Sequence, residues 1–224
     1  MIKAGPIHIN EYVLVYGILV GILLICAPFN RYNATIASSP VIHFLSKIFV
    51  NWGYTWCAIL MAALVGLSTR LWLSFAVNGI IGFCTNWWFF GPPIFDRINS
   101  ATGGYCDGDS SIKDTFRCAQ SGNVWSNGLD ISSHCYLLGQ YVILICFALV
   151  NLRIYPISDS ESATYNPLPR NGQQILRALG WVLGTMFLAE YIITCVFFHT
   201  FAERVLGLFF GVLAIQAITL TTPK

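Results

Sequence analysis

The chain has 224 residues, 56% of them hydrophobic and only 10% charged, with a mean hydropathy of +0.65. A soluble domain must cover its surface with polar groups, and this composition excludes one of ordinary make-up. The formal net charge is +2 without any block of like charges, which excludes a nucleic-acid footprint and a polybasic lipid-binding tail.

In a bilayer every backbone amide must be satisfied within its own segment, so a helical span needs roughly 20 apolar residues. Six segments qualify: 12–29, 48–67, 71–91, 134–151, 175–198 and 203–221. The expected fold is therefore all-α, a polytopic membrane protein whose residues 1–224 form one domain of six transmembrane helices. The first segment reads as a retained span rather than a signal peptide. Its apolar run is long, Lys3 is the one basic residue ahead of it, and no small-residue cleavage site follows Ala27-Pro28-Phe29.

A polar stretch at 30–47 follows, carrying the sequon Asn33-Ala34-Thr35 and His43. Trp52, Tyr54 and Trp56 open the second span, and Trp87, Trp88, Phe89 and Phe90 close the third, where amphipathic rings belong at a membrane interface. The loops at 68–70 and 199–202 are so short that the helices they join are antiparallel neighbours. The long loop 92–133 holds Cys106 and Cys118, whereas Cys26, Cys57, Cys84, Cys135, Cys146 and Cys195 lie in or beside spans as packing residues. The linker 152–174 is rich in proline and serine.

Six crossings place 30–47, 92–133 and 199–202 on one face and both termini on the other. Basic residues are balanced across the two faces, so the positive-inside rule gives a tie. The sequon and the two loop cysteines break it, making loop 92–133 lumenal and linker 152–174 cytosolic.

Polar residues inside the spans are few. Asn78, Asn86 and Gln140 are expected to bridge helices or, with Glu190, to line a lipid-binding cavity. Glu190 stands nine residues before His199, on the opposite face of an ideal helix. His8 and His43 have no suggestive neighbours. His134 opens the fourth span after Asp130-Ile131-Ser132-Ser133, and His199 closes the fifth, ahead of Glu203 and Arg204. Parity puts this pair at one membrane face.

Phosphoryl transfer through histidine needs one neutral imidazole to attack phosphorus and a second, protonated one to supply the leaving oxygen with a proton. Glu203, four residues after His199, is placed to hold one ring nitrogen and leave the other free. Arg204, Ser132, Ser133 and the start of the fourth helix are candidates to cradle phosphate oxygens. No metal or other cofactor is required if histidine is the nucleophile. A non-catalytic lipid-binding protein and a transporter are the competing classes, and no inverted repeat favours the transporter.

The Ser-Ser-His segment and the His-x-x-x-Glu spacing resemble the second and third motifs of the lipid phosphate phosphatase superfamily, although its Lys/Arg-rich first motif is not found. A closer resemblance is to the fat storage-inducing transmembrane (FIT) family of the endoplasmic reticulum. It is carried by Gly91-Pro92-Pro93-Ile94-Phe95-Asp96-Arg97 and Thr102-Gly103-Gly104-Tyr105-Cys106. Trp125-Ser126-Asn127-Gly128-Leu129-Asp130-Ile131-Ser132-Ser133-His134-Cys135 and Phe198-His199-Thr200-Phe201 with Glu203-Arg204 complete it. The family often has glycine where Ser133 stands. The resemblance implies a fatty acyl-CoA diphosphatase that acts in the lumenal leaflet and supports lipid droplet formation. In that reading His199 attacks, Glu203 orients it, His134 protonates the leaving group, and Arg204, Arg97, Ser132, Ser133 and Asp130 meet the substrate. The implied partners are fatty acyl-CoA and neutral lipid; no protein partner is implied.

Overall fold

The computed structural model describes residues 7–29, 36, 39–65, 69–86, 91–154 and 170–221. Asn33, Trp87–Phe90 and the greater part of the linker 152–174 lie outside the described residues.

The chain is mostly helical. In order it forms α1 (Ile7–Ile25), α2 (Pro40–Leu45), a π-helical segment (Ser46–Asn51), α3 (Gly53–Val65), α4 (Thr69–Asn86), α5 (Ile94–Ala101), β1 (Tyr105–Cys106), α6 (Thr115–Gln120), β2 (Trp125–Ser126), α7 (Ser133–Ile154), α8 (Arg170–Phe197) and α9 (Phe201–Thr221). The long helices coincide with the six apolar segments. Residues 40–47, expected as loop, are helical instead. Proline at the first helical position is preorganised for a helix start, and Val41-Ile42 with Phe44-Leu45 continue into apolar sequence.

α7 is the central helix, packed against α8, α9, α3 and α1. Tyr136, Leu138, Tyr141, Phe187 and Tyr191 are almost completely buried in this centre. The outer faces are apolar too. Leu14, Leu24, Ile25, Ile175, Trp181, Val182 and Phe209 are all more than half exposed, the reverse of a soluble bundle. By length and composition, Gln174–Phe197 alone among the described residues forms a helix sufficient to cross a membrane, while Val13–Ile25, Gly53–Ala62, Phe75–Asn86 and Ser133–Cys146 are shorter apolar helices.

The approach of α9 to α7 depends on two glycines. A Cβ at Gly207 would collide with the Ser132 carbonyl oxygen, and one at Gly211 would stand 2.6 Å from the Tyr136 carbonyl oxygen. Glycines four apart let helix backbones close on each other, a device common between helices in lipid. Here they draw the start of α9 onto the start of α7.

Loop 92–133 is an ordered cap. Cys106 and Cys118 are joined by a disulfide, and β1 pairs antiparallel with β2. Asp114 caps α6 by accepting from the Arg117 amide at 2.9 Å. The cap is pinned to the bundle by Phe95, whose ring meets Tyr136 edge-on at 5.5 Å and Phe210 at 6.2 Å. Thr102 Oγ1 accepts from the Leu129 amide at 2.8 Å, fixing the segment that leads to Asp130.

Candidate active site

Three chain junctions meet at one end of the bundle: the π-helical segment after α2, the approach to α7, and the turn between α8 and α9. His199 occupies that turn with φ +59°, in the left-handed region. This is the position past a helix end where glycine is usual, and a side chain there costs on the order of 1–3 kcal/mol.

The next residues hold the turn in place. Thr200 caps α9 and Glu203 sits three residues further, a capping box. The Thr200 amide donates to Glu203 Oε2 at 2.7 Å, and the Glu203 amide donates to Thr200 Oγ1 at 3.4 Å. Glu203 also reaches the other junction, because its Oε1 accepts from the Asp130 amide at 3.1 Å and its carbonyl accepts from the Ser132 amide at 3.2 Å.

Two carboxylates therefore face one edge of the His199 ring. Asp130 Oδ2 is 3.5 Å from Nδ1, and Glu203 Oε2 is 3.8 Å from the same nitrogen. The Asp130 side chain is 54% exposed and that of Glu203 11%. Partial desolvation raises the Asp130 carboxyl above its ordinary value, the neighbouring His199 pulls it back down, and Glu203 pushes it up. Asp96 on α5 is pushed up to about 6, chiefly by burial. The Thr115 hydroxyl, donating at 3.0 Å, opposes the shift, and Asp114 and Asp130 add to it.

His134 lies in the first turn of α7 and is close enough to His199 for the two rings to interact electrostatically. Its Nε2 is 3.1 Å from Ser46 Oγ, on the π-helical segment. Ser132 is fully buried and caps α7, its Oγ accepting from the Cys135 amide at 3.2 Å; Ser133 is half-buried beside it.

The basic residues divide. Arg97 is exposed, its Nε donating to the Pro92 carbonyl at 2.8 Å. Arg204 is fully buried, and its guanidinium donates to the carbonyls of Cys26 at 3.1 Å, Phe29 at 3.1 Å, Thr200 at 3.2 Å and Cys195. Arg204 thus ties together the ends of α1, α8 and α9, its guanidinium engaged by backbone carbonyls, one of them that of Thr200 beside His199. The carbonyls of Cys26 and Thr200 also accept the backbone amides of Phe29 and Arg204, so the guanidinium adds a second donor to each, and its rigid fork of N–H groups joins the three helix ends. Sequence reasoning missed Ser46 and Thr200. The Thr-x-x-Glu spacing announces a capping box and was available for Thr200; no local signal announces Ser46. Among the described residues, no group of three or more His, Cys, Asp or Glu is placed to hold a metal ion.

Comparison with known proteins matches this chain to the family model described as fat storage-inducing transmembrane protein over residues 42–164, more than half of its length. Three curated relatives are similar. The acyl-coenzyme A diphosphatase FITM2 of Caenorhabditis elegans is 25% identical over 57% of this chain and 46% of its own. The acyl-coenzyme A diphosphatase fit1 of Schizosaccharomyces pombe is 27% identical over 75% of this chain and 67% of its own. The acyl-coenzyme A diphosphatase FITM2 of Xenopus laevis is 27% identical over 58% of this chain and 49% of its own. The chain thus spans about half to two-thirds of the length of these relatives. No solved structure matches.

Proposed function

Because the chain belongs to the fat storage-inducing transmembrane (FIT) family, we propose that it is a fatty acyl-CoA diphosphatase, as three similar proteins are named. The observation that carries the reading is the approach of Asp130 and Glu203 to His199 at one end of an apolar bundle, with His134 two residues beyond Ser132, whose amide bonds the Glu203 carbonyl. Such a site suits a substrate with its acyl chain among the helices and its charged headgroup outside.

The chemistry follows from which nitrogen is free. Asp130 and Glu203 engage Nδ1 of His199, so Nε2 is left to attack one phosphorus of the pyrophosphate. A phosphorus–nitrogen bond forms as the bridging phosphorus–oxygen bond breaks, and His134 gives its proton to the departing oxygen. Water, deprotonated by the now neutral His134, then cleaves the phosphohistidine and restores both rings. The products are acyl 4′-phosphopantetheine and adenosine 3′,5′-bisphosphate. Arg97 and Ser133 remain the proposed phosphate contacts, with Asp130 shared between substrate and His199, while Ser132, fully buried, caps α7.

The chain is read as six spans in the endoplasmic reticulum membrane, termini cytosolic and site lumenal, serving lipid droplet formation. The Cys106–Cys118 disulfide supports an oxidising side for the cap. The Ser46–His134 contact and the Asp130–His199 approach support the parity argument, since segments assigned to one face do meet.

A second reading, neutral-lipid binding without catalysis, draws on Asn78 and Gln140. Both are buried, Asn78 Nδ2 donates to Gln140 Oε1 at 3.3 Å, and Asn78 Oδ1 meets no partner among the described residues. One experiment separates the two. Purified protein in detergent is incubated with oleoyl-CoA beside His199→Ala and His134→Ala, and products are identified by mass spectrometry. Acyl phosphopantetheine from the wild type alone supports the diphosphatase. Equal turnover by the mutants removes the histidines from the mechanism. Turnover of phosphatidic acid in place of acyl-CoA points to a lipid phosphate phosphatase.

A further inference from the structure

The segment Ser46–Asn51 is a π-helix, a wider turn that cooperative helix packing disfavours unless something holds it, and one that recurs at functional sites. Here three neighbours hold it. Trp56 Nε1 donates to the Ile48 carbonyl at 3.1 Å, and Tyr141 Oη on α7 donates to the Val50 carbonyl at 3.1 Å. Phe49 meets Phe187 of α8 edge-on at 6.4 Å. Tyr141 itself fills the space over Gly53, where any Cβ would collide with its ring. The first residue of the braced turn is Ser46, and its hydroxyl is the group that meets Nε2 of His134.

We propose that Ser46 is the positioning residue for His134, a role that rests on the diphosphatase reading above. In the role proposed, the hydroxyl accepts from Nε2–H across the 3.1 Å contact, the direction that leaves Nδ1 as the nitrogen that gains and loses the catalytic proton. In the acid form both nitrogens carry protons; Nε2–H stays on Ser46 while Nδ1–H passes to the departing phosphate oxygen. The braced π-turn supplies the rigidity. A serine on a fraying loop would let the ring swing between nitrogens and blur the acid's direction.

The test compares wild type, Ser46→Ala, Ser46→Thr and His134→Ala on oleoyl-CoA, with thermal midpoints to confirm folding. Imidazole 15N spectra are recorded in parallel, with the His134 signals identified by their loss in His134→Ala. Ser46→Ala is expected to lower kcat about 10- to 100-fold, the worth of a hydrogen bond to a charged group, with KM within about twofold. Ser46→Thr is expected to restore most of the rate. The His134 ring is expected to read as the Nε2–H tautomer in wild type and as a mixture in Ser46→Ala. Wild-type kcat in Ser46→Ala, or a loss confined to KM, overturns the assignment while leaving the diphosphatase intact. If wild type is active and His134→Ala is not impaired, His134 is not the acid and the positioning role of Ser46 falls with it. If wild type is inactive, the diphosphatase reading fails. The imidazole spectra then decide the Ser46 contact alone, an unchanged tautomer in Ser46→Ala overturning it.

Discussion

Asp130 and His199 belong to different helix junctions, 69 positions apart, yet Asp130 Oδ2 stands 3.5 Å from His199 Nδ1, nearer than Glu203 four residues from the histidine. Glu203 is committed on both oxygens to backbone amides, of Thr200 and of Asp130. Asp130 has no such anchor on its carboxylate among the described hydrogen bonds and is the more exposed. The two acids therefore divide the work, one building the junction and the other facing the ring. Asp130→Asn is expected to lower kcat at least about 10-fold with little change in thermal midpoint, because an amide cannot stabilise the positive ring. Glu203→Gln is expected to lose both rate and stability. Wild-type kcat in Asp130→Asn would return the orienting role to Glu203 alone.

Arg204 is predicted to act on stability. Removing the guanidinium takes a donor from buried backbone carbonyls, at about 1–3 kcal/mol for each group left unsatisfied. Arg204→Ala should therefore lower the thermal midpoint sharply in detergent, and Arg204→Lys should rescue little, since a point charge cannot reach carbonyls on three helix ends. A variant with normal stability and a raised KM would instead place the guanidinium at the substrate.

The turn at His199 offers a separation of stability from chemistry. At φ +59°, glycine is the unstrained residue, so His199→Gly is expected to fold at least as stably as His199→Ala and about 1 kcal/mol more so. Both should be inactive. Thermal denaturation of the pair checks the strain, and a less stable glycine variant would refute it.

The cap depends on its disulfide. Closing a loop with a sequence separation of 12 contributes roughly 3 kcal/mol in the chain-entropy model. Cys106→Ser with Cys118→Ser should expose 92–133 to limited proteolysis while the helices persist, and turnover should fall because Asp130 leaves with the cap. Equal resistance with and without the bridge would show that Phe95 and Thr102 suffice.

Asp96 gives the cap a pH dependence. Its carboxyl rises from the ordinary 3.8 to about 6 on folding, so between those values the unfolded chain releases a proton that the folded chain keeps. The folded state then binds more protons, and stability falls as pH rises through this window, levelling above it. Asp96→Asn should flatten the fall between about pH 4 and pH 6, read as thermal midpoint against pH. An unchanged slope would assign the effect to another group.

The helices were legible in the sequence because transfer of apolar residues and backbone satisfaction are local, additive properties; Ser133–Ile154 and Phe201–Thr221 begin within two residues of the segments read from hydropathy. The placing of His134 and His199 at helix ends was legible for the same reason, since His134 opens α7 and His199 follows α8. The Thr200-x-x-Glu203 box and the Gly207/Gly211 pair were present as short-range patterns and only needed to be read.

The rest required the packed chain. Ser46 and His134 are 88 positions apart, and nothing within reach of either in sequence names the other. A charge at a membrane face suggests a phosphate ligand in the sequence, whereas the backbone carbonyls that Arg204 meets come from the ends of α1, α8 and α9, which only packing brings together. Composition and periodicity determine which segments leave water and where they turn. Which side chain meets which is settled only when the helices close on one another, because hydrogen-bond distance is a condition on tertiary geometry and not on sequence.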